Sequence, residues 1–126
     1  MFDNPQKIFA LFGAFFACLG VAAGAFGAHA LKTRLSAEML AVFEVGVRYQ
    51  LVHSLALFVI AWALGVFAPW WCTLSGSFLV LGIVFFSGSI YALALSNVRT
   101  WGAITPIGGV FFLLGWLFLA IGIMKS

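Results

Sequence analysis

Residues 54–98 read SLALFVIAWALGVFAPWWCTLSGSFLVLGIVFFSGSIYALALSNV and contain no Asp, Glu, Lys, Arg or His. A helix needs only about 20 residues to cross the hydrocarbon core of a bilayer, so this run is long enough for two crossings. Pro69-Trp70-Trp71 divides it, because proline interrupts a helix and tryptophan prefers the headgroup level. The stretch therefore predicts two membrane-spanning helices joined by a short turn.

The composition of the whole chain extends this prediction. Of its 126 residues, 65% are hydrophobic and 7% are charged, and the mean hydropathy is +1.21, which excludes a water-soluble globule of this size. The net charge of +3 rests on groups near the ends of the apolar runs, which favours membrane anchoring over nucleic-acid binding. We therefore expect one all-α domain over residues 1–126, embedded in the lipid bilayer.

Four membrane spans follow from the positions of the charged residues and the prolines. The first apolar run is longer than the 7 to 15 residues of a signal-peptide core, which favours a retained span over a cleaved signal. Pro106 falls in the first turn of the last run, where its missing N–H does no harm. The sequence predicts a four-helix bundle with spans at about residues 8–29, 47–67, 73–95 and 103–124.

The connection between spans one and two, residues 30–46, is too charged to cross a membrane. Ser36 is suited to cap a helix, and Glu38 would then lie in the first turn, where the helix dipole favours a negative charge. Helical spacing places four apolar residues on one face, and this pattern predicts a short interfacial helix leading into span two: Leu35, Met39, Phe43 and Val47.

Span one carries a stripe of small residues at intervals of three and four: Gly13, Ala17, Gly20, Gly24 and Ala28. Small residues allow two helix backbones to approach closely in a membrane. We expect this stripe to pack against another helix of the same chain, and a dimer face is the alternative.

The chain has few polar groups that could carry chemistry, and the span directions place most of them towards one leaflet. This candidate cluster comprises His29, Glu44, Arg48, Tyr49, Gln50, His53, Tyr91 and Thr105. An ionisable residue inside a span is by default a functional hypothesis, so His53 is the strongest candidate. Its imidazole would either carry protons near neutral pH or stay neutral in a network with Gln50, Tyr49 or Tyr91.

Two further groups of residues have simple interpretations. Arg48 would extend its guanidinium to the headgroups and pair with Glu44, or it would form an anion or lipid-phosphate site with Lys32 and Arg34. Cys18 and Cys72 lie far apart in the sequence and are expected to pack as small hydrophobic residues.

The sequence contains no pattern that predicts catalysis or a bound metal. His29, Glu44 and His53 come from separate places, and zinc prefers three or four ligands. No Ser-His-Asp arrangement, phosphate-binding loop or dinucleotide fingerprint is evident. We therefore expect no metal, no cofactor and no enzymatic activity.

Four spans return both termini to one side of the membrane. The charged connections carry Lys32, Arg34, Arg48 and Arg99, whereas the side of the termini carries Lys7 and Lys125. Because positive residues favour the cytoplasmic side, the termini are expected outside the cytoplasm.

Motifs along nearly the whole chain resemble those of the YgdD/YwdK-like family of small inner-membrane proteins, whose animal relatives are the transmembrane protein 256 family. The matching segments lie at residues 24–31, 43–57, 86–91, 105–109 and 115–116, the second of which reads FEVGVRYQLVHSLAL. The resemblance implies a four-helix protein of the cell inner membrane. It brings no catalytic residues, because the shared domain has no assigned activity.

Two functional hypotheses lead, ahead of a third in which the chain is an enzyme that acts on a lipid. The first is a non-enzymatic membrane subunit or accessory protein that contacts its own copies or other membrane proteins and binds no nucleic acid. The second is a homo-oligomeric transporter or channel for a proton, a small ion or a small molecule, with His53, Tyr49, Gln50 and Tyr91 near its path. Four spans enclose too little space for a wide path, so the second hypothesis needs at least a dimer.

Overall fold

A computed structural model describes residues 3–126 of the chain as an all-helical bundle. Its α-helices are α1 (Pro5–His29), α2 (Ala37–Ala63), α3 (Pro69–Gly82), α4 (Gly88–Ser96) and α5 (Thr105–Met124). One π-helical turn, Ile83–Ser87, makes α3 and α4 continuous, and 3₁₀ turns lie at Leu31–Thr33 and Arg99–Ala103. Within residues 3–126, four helical stretches are long and apolar enough to cross a membrane: Pro5–His29, Ala37–Ala63, Pro69–Ser96 and Arg99–Met124. The prediction of an all-α fold with four spans is confirmed.

Local chemistry accounts for the helix ends. The Asn4 side chain accepts a hydrogen bond from Gln6 N at 2.9 Å, and Pro5 begins α1. Ser36 Oγ accepts a hydrogen bond from Met39 N at 3.2 Å, as expected of an N-cap. Proline also lies in the first turn of α3 and α5, where the missing N–H has no partner to lose. The predicted cap at Ser36 and the predicted break at Pro69 are both present.

The predicted interfacial helix between spans one and two is not supported by the structure. Residues 31–33 form only a 3₁₀ turn, and α2 runs without interruption from Ala37 to Ala63 instead of beginning near residue 47. The apolar face of Met39, Phe43 and Val47 is buried in the bundle, not laid on the membrane surface. Because no proline interrupts residues 37–63, one long helix can include both segments.

The packing order places α2 near the centre of the bundle. α1 packs along α2, α3 packs along α5, and α2 also contacts α3 and α4. The main apolar core lies between these helices and includes Leu57, Ile60, Cys72, Leu79 and Phe112. The first and the last span, which contain α1 and α5, are the least buried of the four.

The stripe of small residues on span one lies mostly against α2. Gly13 and Gly20 are buried, and a Cβ at Gly13 would come within 2.9 Å of the Ser54 carbonyl oxygen. Ala17 and Gly24 are half-buried. Ala28 is exposed, and Gly27 instead faces the Phe43 ring.

A second seam of glycines, which the sequence reasoning missed, lies on α5. Gly108, Gly115 and Gly122 recur every seven residues and are buried against α3 and the π-helical turn. The approach is closest at Gly108, where an added Cβ would be 2.2 Å from Phe86 N and 2.5 Å from Phe86 Cα. Backbone cannot move aside as a flexible side chain can, so this position requires glycine.

We expect Gly108→Ala to lower the free energy of unfolding by about 1–3 kcal/mol, because the new methyl group overlaps the backbone of Phe86. Gly109→Ala is the matched control, since a Cβ there meets only the Phe86 ring at 3.9 Å. Reversible unfolding in mixed detergent micelles measures both variants. Equal stability of the two variants would contradict the close approach.

Candidate functional site

The side chain of Gln50 joins three of the four spans. It is 4% exposed, and its Nε2 donates to the Phe16 carbonyl oxygen of α1 at 2.8 Å. Its Oε1 accepts a hydrogen bond from the Tyr91 hydroxyl of α4 at 2.6 Å. The Gln50 carbonyl oxygen also accepts a hydrogen bond from Ser54 Oγ at 2.6 Å. Both ends of this buried carboxamide are therefore paired across helix boundaries.

This network lies near the middle of the bundle. Gln50 is at the midpoint of α2, and its acceptor Phe16 is close to the midpoint of α1. The sequence places Gln50 and His53 nearer one leaflet, because a span beginning at residue 47 would start just before them. The longer α2 moves both residues inward. Tyr91 reaches the same level because helical side chains lean towards the helix N-terminus.

His53 forms a second network beside the first and is 5% exposed. Its Nε2 lies 3.0 Å from Trp116 Nε1 of α5, and its Nδ1 lies 2.7 Å from the Tyr49 carbonyl oxygen. An indole N–H only donates and a carbonyl oxygen only accepts, so Nε2 accepts and Nδ1 carries the proton. The imidazole is therefore the neutral Nδ1–H tautomer, with both nitrogens paired.

Aromatic rings surround His53 on the side of α5. The Phe112 ring stacks on the imidazole with a centroid separation of 3.6 Å, and the Tyr49 ring lies 6.0 Å away. A partly open groove of about 450 Å³ runs past these rings, lined by Tyr49, His53, Phe86, Pro106, Gly109, Val110, Phe112, Leu113 and Trp116. Its wall is almost entirely apolar, so the groove suits a lipid chain or a helix surface better than a polar solute.

Serine hydroxyls make two further buried polar contacts between helices. Ser87 Oγ donates to the Gly46 carbonyl oxygen at 2.7 Å, and Ser75 Oγ donates to the Gly115 carbonyl oxygen at 2.6 Å. Both acceptors are glycines, whose missing side chains leave the carbonyl accessible. Among residues 3–126, no buried side-chain nitrogen or oxygen lacks a hydrogen-bond partner.

The structure divides the predicted polar cluster. Tyr49, Gln50, His53 and Tyr91 come together, whereas Thr105 bonds to Ser89 Oγ at 2.7 Å near the end of the bundle. His29, Glu44 and Arg48 are exposed. Glu44 and Arg48 form no ion pair within the described part of the chain. That part also contains no group of three His, Cys, Asp or Glu residues that could hold a metal ion.

Sequence reasoning missed Trp116 and Ser75 as partners in these networks. Trp116 was a member of a family motif only, and nothing in its spacing pointed to His53, which lies 63 residues away. Serine in a long apolar run was the available signal for Ser75, since an isolated hydroxyl in a span must find an acceptor.

Comparison with known proteins identifies several similar chains. The family model described as "Protein of unknown function (DUF423)" matches residues 23–109. A UPF0382 membrane protein of Staphylococcus saprophyticus is 48% identical over 123 residues, covering 95% of this chain and 99% of the relative. The UPF0382 inner membrane protein YgdD of Escherichia coli is 40% identical over 120 residues, covering 95% of this chain and 92% of the relative. No solved structure matches the chain.

Tyr91→Phe should lower the free energy of unfolding by about 1 kcal/mol, because it leaves Gln50 Oε1 without its hydrogen bond in an apolar interior. Tyr49→Phe is the matched control: within residues 3–126 the Tyr49 hydroxyl has no hydrogen-bond partner. Unfolding in mixed micelles measures both. A larger loss for Tyr49→Phe than for Tyr91→Phe would contradict the assignment of the network.

Proposed function

Because the chain belongs to the family described as protein of unknown function (DUF423), whose relatives include UPF0382 membrane proteins, we propose that it is a non-enzymatic membrane subunit or accessory protein. It is a membrane protein with four helices of spanning length. In this proposal it acts through contacts made by its outer surface within the bilayer. The relative YgdD is an inner membrane protein, and we assign this chain to the same membrane.

The observation that carries the proposal is the complete pairing of the polar interior. Gln50, His53 and the buried serines all bond to groups of the same bundle within residues 3–126. A path for ions or protons needs polar groups that exchange partners with the solute, whereas these groups satisfy one another. Their arrangement fits a structural role, in which hydrogen bonds between spans set the helix register.

The connections between the spans leave little material for a separate active site. Residues 30–36, 64–68 and 97–104 join the helices, and all three segments are short. The remaining large surface is the lipid-facing exterior of the helices, and in a membrane this exterior is where a partner protein would bind. A subunit or accessory role uses that surface directly.

The transport hypothesis depends mainly on His53. A proton relay would require the Nε2 atom to take up a proton, yet this atom already accepts the Trp116 N–H. Protonation would set two N–H groups against each other and break the contact between α2 and α5. Transport therefore requires a rearrangement of this contact, whereas the structural role requires none.

The orientation of the chain in the membrane is also part of the proposal. The termini and the α2–α3 connection share one end of the bundle, where Ala68 N donates to Ser126 Oγ at 2.8 Å. Lys32, Arg34 and Arg99 lie in connections at the other end. The positive-inside tendency places that charged end in the cytoplasm.

We expect purified protein in liposomes to give no proton flux above that of protein-free liposomes, at any pH between 5 and 8. The His53→Ala variant should behave in the same way, because the proposal gives His53 no solute to carry. A pH-sensitive dye inside the liposomes measures the flux. A flux that His53→Ala abolishes would favour the transporter hypothesis instead.

Alkaline phosphatase is a reporter that is active only outside the cytoplasm. Fused after Ser126, it should be active, because the proposal places the C-terminus outside the cytoplasm. The same reporter inserted between Thr33 and Arg34 should be inactive, and a cytoplasm-dependent fluorescent reporter should show the reverse pattern. The opposite assignment at both positions would overturn the proposed orientation without affecting the four-span fold.

A further inference from the structure

The outward face of α2 carries residues that recur every three or four positions. All of them are exposed: Ala41, Glu44, Arg48, Val52, Leu55, Val59 and Trp62. We call this set the α2 stripe. Exposed apolar side chains need no explanation in a bilayer, because lipid tails solvate them. The two charged members, Glu44 and Arg48, do need one.

The packing of α1 on α2 gives the depth of these charges. Phe43 lies against Gly27, and a Cβ at Gly24 would be 3.3 Å from Val47 Cγ1. Glu44 and Arg48 therefore stand beside the last turns of α1, within the uncharged stretch at residues 8–28. Gly24 precedes the helix end at His29 by five residues, which is roughly 7 Å of helix rise. An ionisable group at such a depth is costly unless it is paired.

Neither charge has an ionic partner within the described part of the chain. A lipid phosphate would suit Arg48 alone, because its side chain can extend towards the headgroups. Glu44 lies one turn nearer that surface on the same stripe, so its carboxylate would repel the phosphate. The face as a whole has no net charge, and it favours a partner that offers both a cation and an anion.

We propose that the α2 stripe is the interface of a homodimer, in which each Arg48 pairs with the Glu44 of the other copy. A twofold axis along the membrane normal brings the same levels of the two α2 helices together. An acid and a base one turn apart on one helix can then each pair with the opposite charge on the other helix. Two ion pairs form where lipid would otherwise surround four charges. The apolar members of the stripe have the three-four spacing of a left-handed helix pair.

This inference goes beyond the proposed function, since copies can associate whether or not the chain carries a solute. A second outward face serves as an internal comparison. Ala14, Cys18 and Ala22 lie on the exposed side of α1, which points away from α2. These residues are small but carry no charge that needs a partner, so we expect no contact between copies there.

The first test is disulfide cross-linking of the full chain in native membranes. Leu55 is 65% exposed on the α2 stripe, so Leu55→Cys is introduced together with Cys18→Ala. Cys72 is buried and should not react. We expect this variant to give a disulfide-linked dimer on mild oxidation, whereas the wild-type chain, whose exposed cysteine is Cys18, should form no disulfide-linked dimer.

The second test adds charge reversals to the Leu55→Cys chain. Glu44→Arg or Arg48→Glu alone places four like charges at the interface, and cross-linked dimer should fall roughly tenfold. Co-expression of the two single-reversal chains with different tags should restore the dimer as a mixed pair, because each chain then supplies the charge that the other lacks. Recovery in the mixture also shows that both variant chains fold.

Three results would overturn the proposal. One is dimer formation through Cys18 in the wild-type chain with none in the Leu55→Cys variant. Another is cross-linking that the single reversals leave unchanged, which would show that the charges do not contribute. The third is a co-expressed mixture that gives no more cross-linked dimer than the single-reversal variants, although both variants retain their helical content. None of these results bears on the proton flux, so failure of the dimer is distinguishable from failure of the proposed function.

Discussion

The rest of the structure depends on the carboxamide of Gln50, held between α1 and α4 at the middle of the bundle. Hydrocarbon offers no hydrogen bonds, so a primary amide at this depth must find both a donor and an acceptor inside the protein. Phe16 provides the acceptor as a backbone carbonyl, and Tyr91 provides the donor as a hydroxyl. Sliding any one of the three helices by a turn would break one of these bonds, so a single side chain sets the register of three spans.

Glycines make such short polar contacts available. Two of the backbone acceptors used by side chains on other helices, at Gly46 and Gly115, are glycine carbonyls, and their donors are serines with very short side chains. The third span can approach α5 this closely only because Gly108, Gly115 and Gly122 place no side chain between the two helices. Packing and hydrogen bonding therefore reinforce each other. In a bilayer this is expected, since helix association cannot depend on removing apolar surface from water.

The sequence predicts the architecture well and the site less well, for physical reasons. Charge-free runs and prolines mark four spans because the bilayer imposes a length on every crossing, and Ser36 marks the start of α2 because a helix needs a cap. The predicted break before residue 47 failed because charge was weighed above the continuous buried face of Met39, Phe43 and Val47. Because α2 begins at Ala37, Gln50 and His53 lie nearer the middle of the bundle than the sequence predicts. The Trp116–His53 contact depends on tertiary packing and leaves no local signal in either segment.

Neutral and charged polar groups occupy different places in the bundle. Inside the bundle, neutral groups are used throughout, and each is paired with another neutral group or with backbone. Such pairing costs little desolvation compared with burying ions. The ionisable residues of α2 lie on its outside, where the fold of one chain does not neutralise them. The described core therefore contains no charged group. The acid and the base that lack an ion pair in one chain, Glu44 and Arg48, lie on the outer surface of α2. The interior specifies the fold, and the proposed dimer uses the two charges of the exterior.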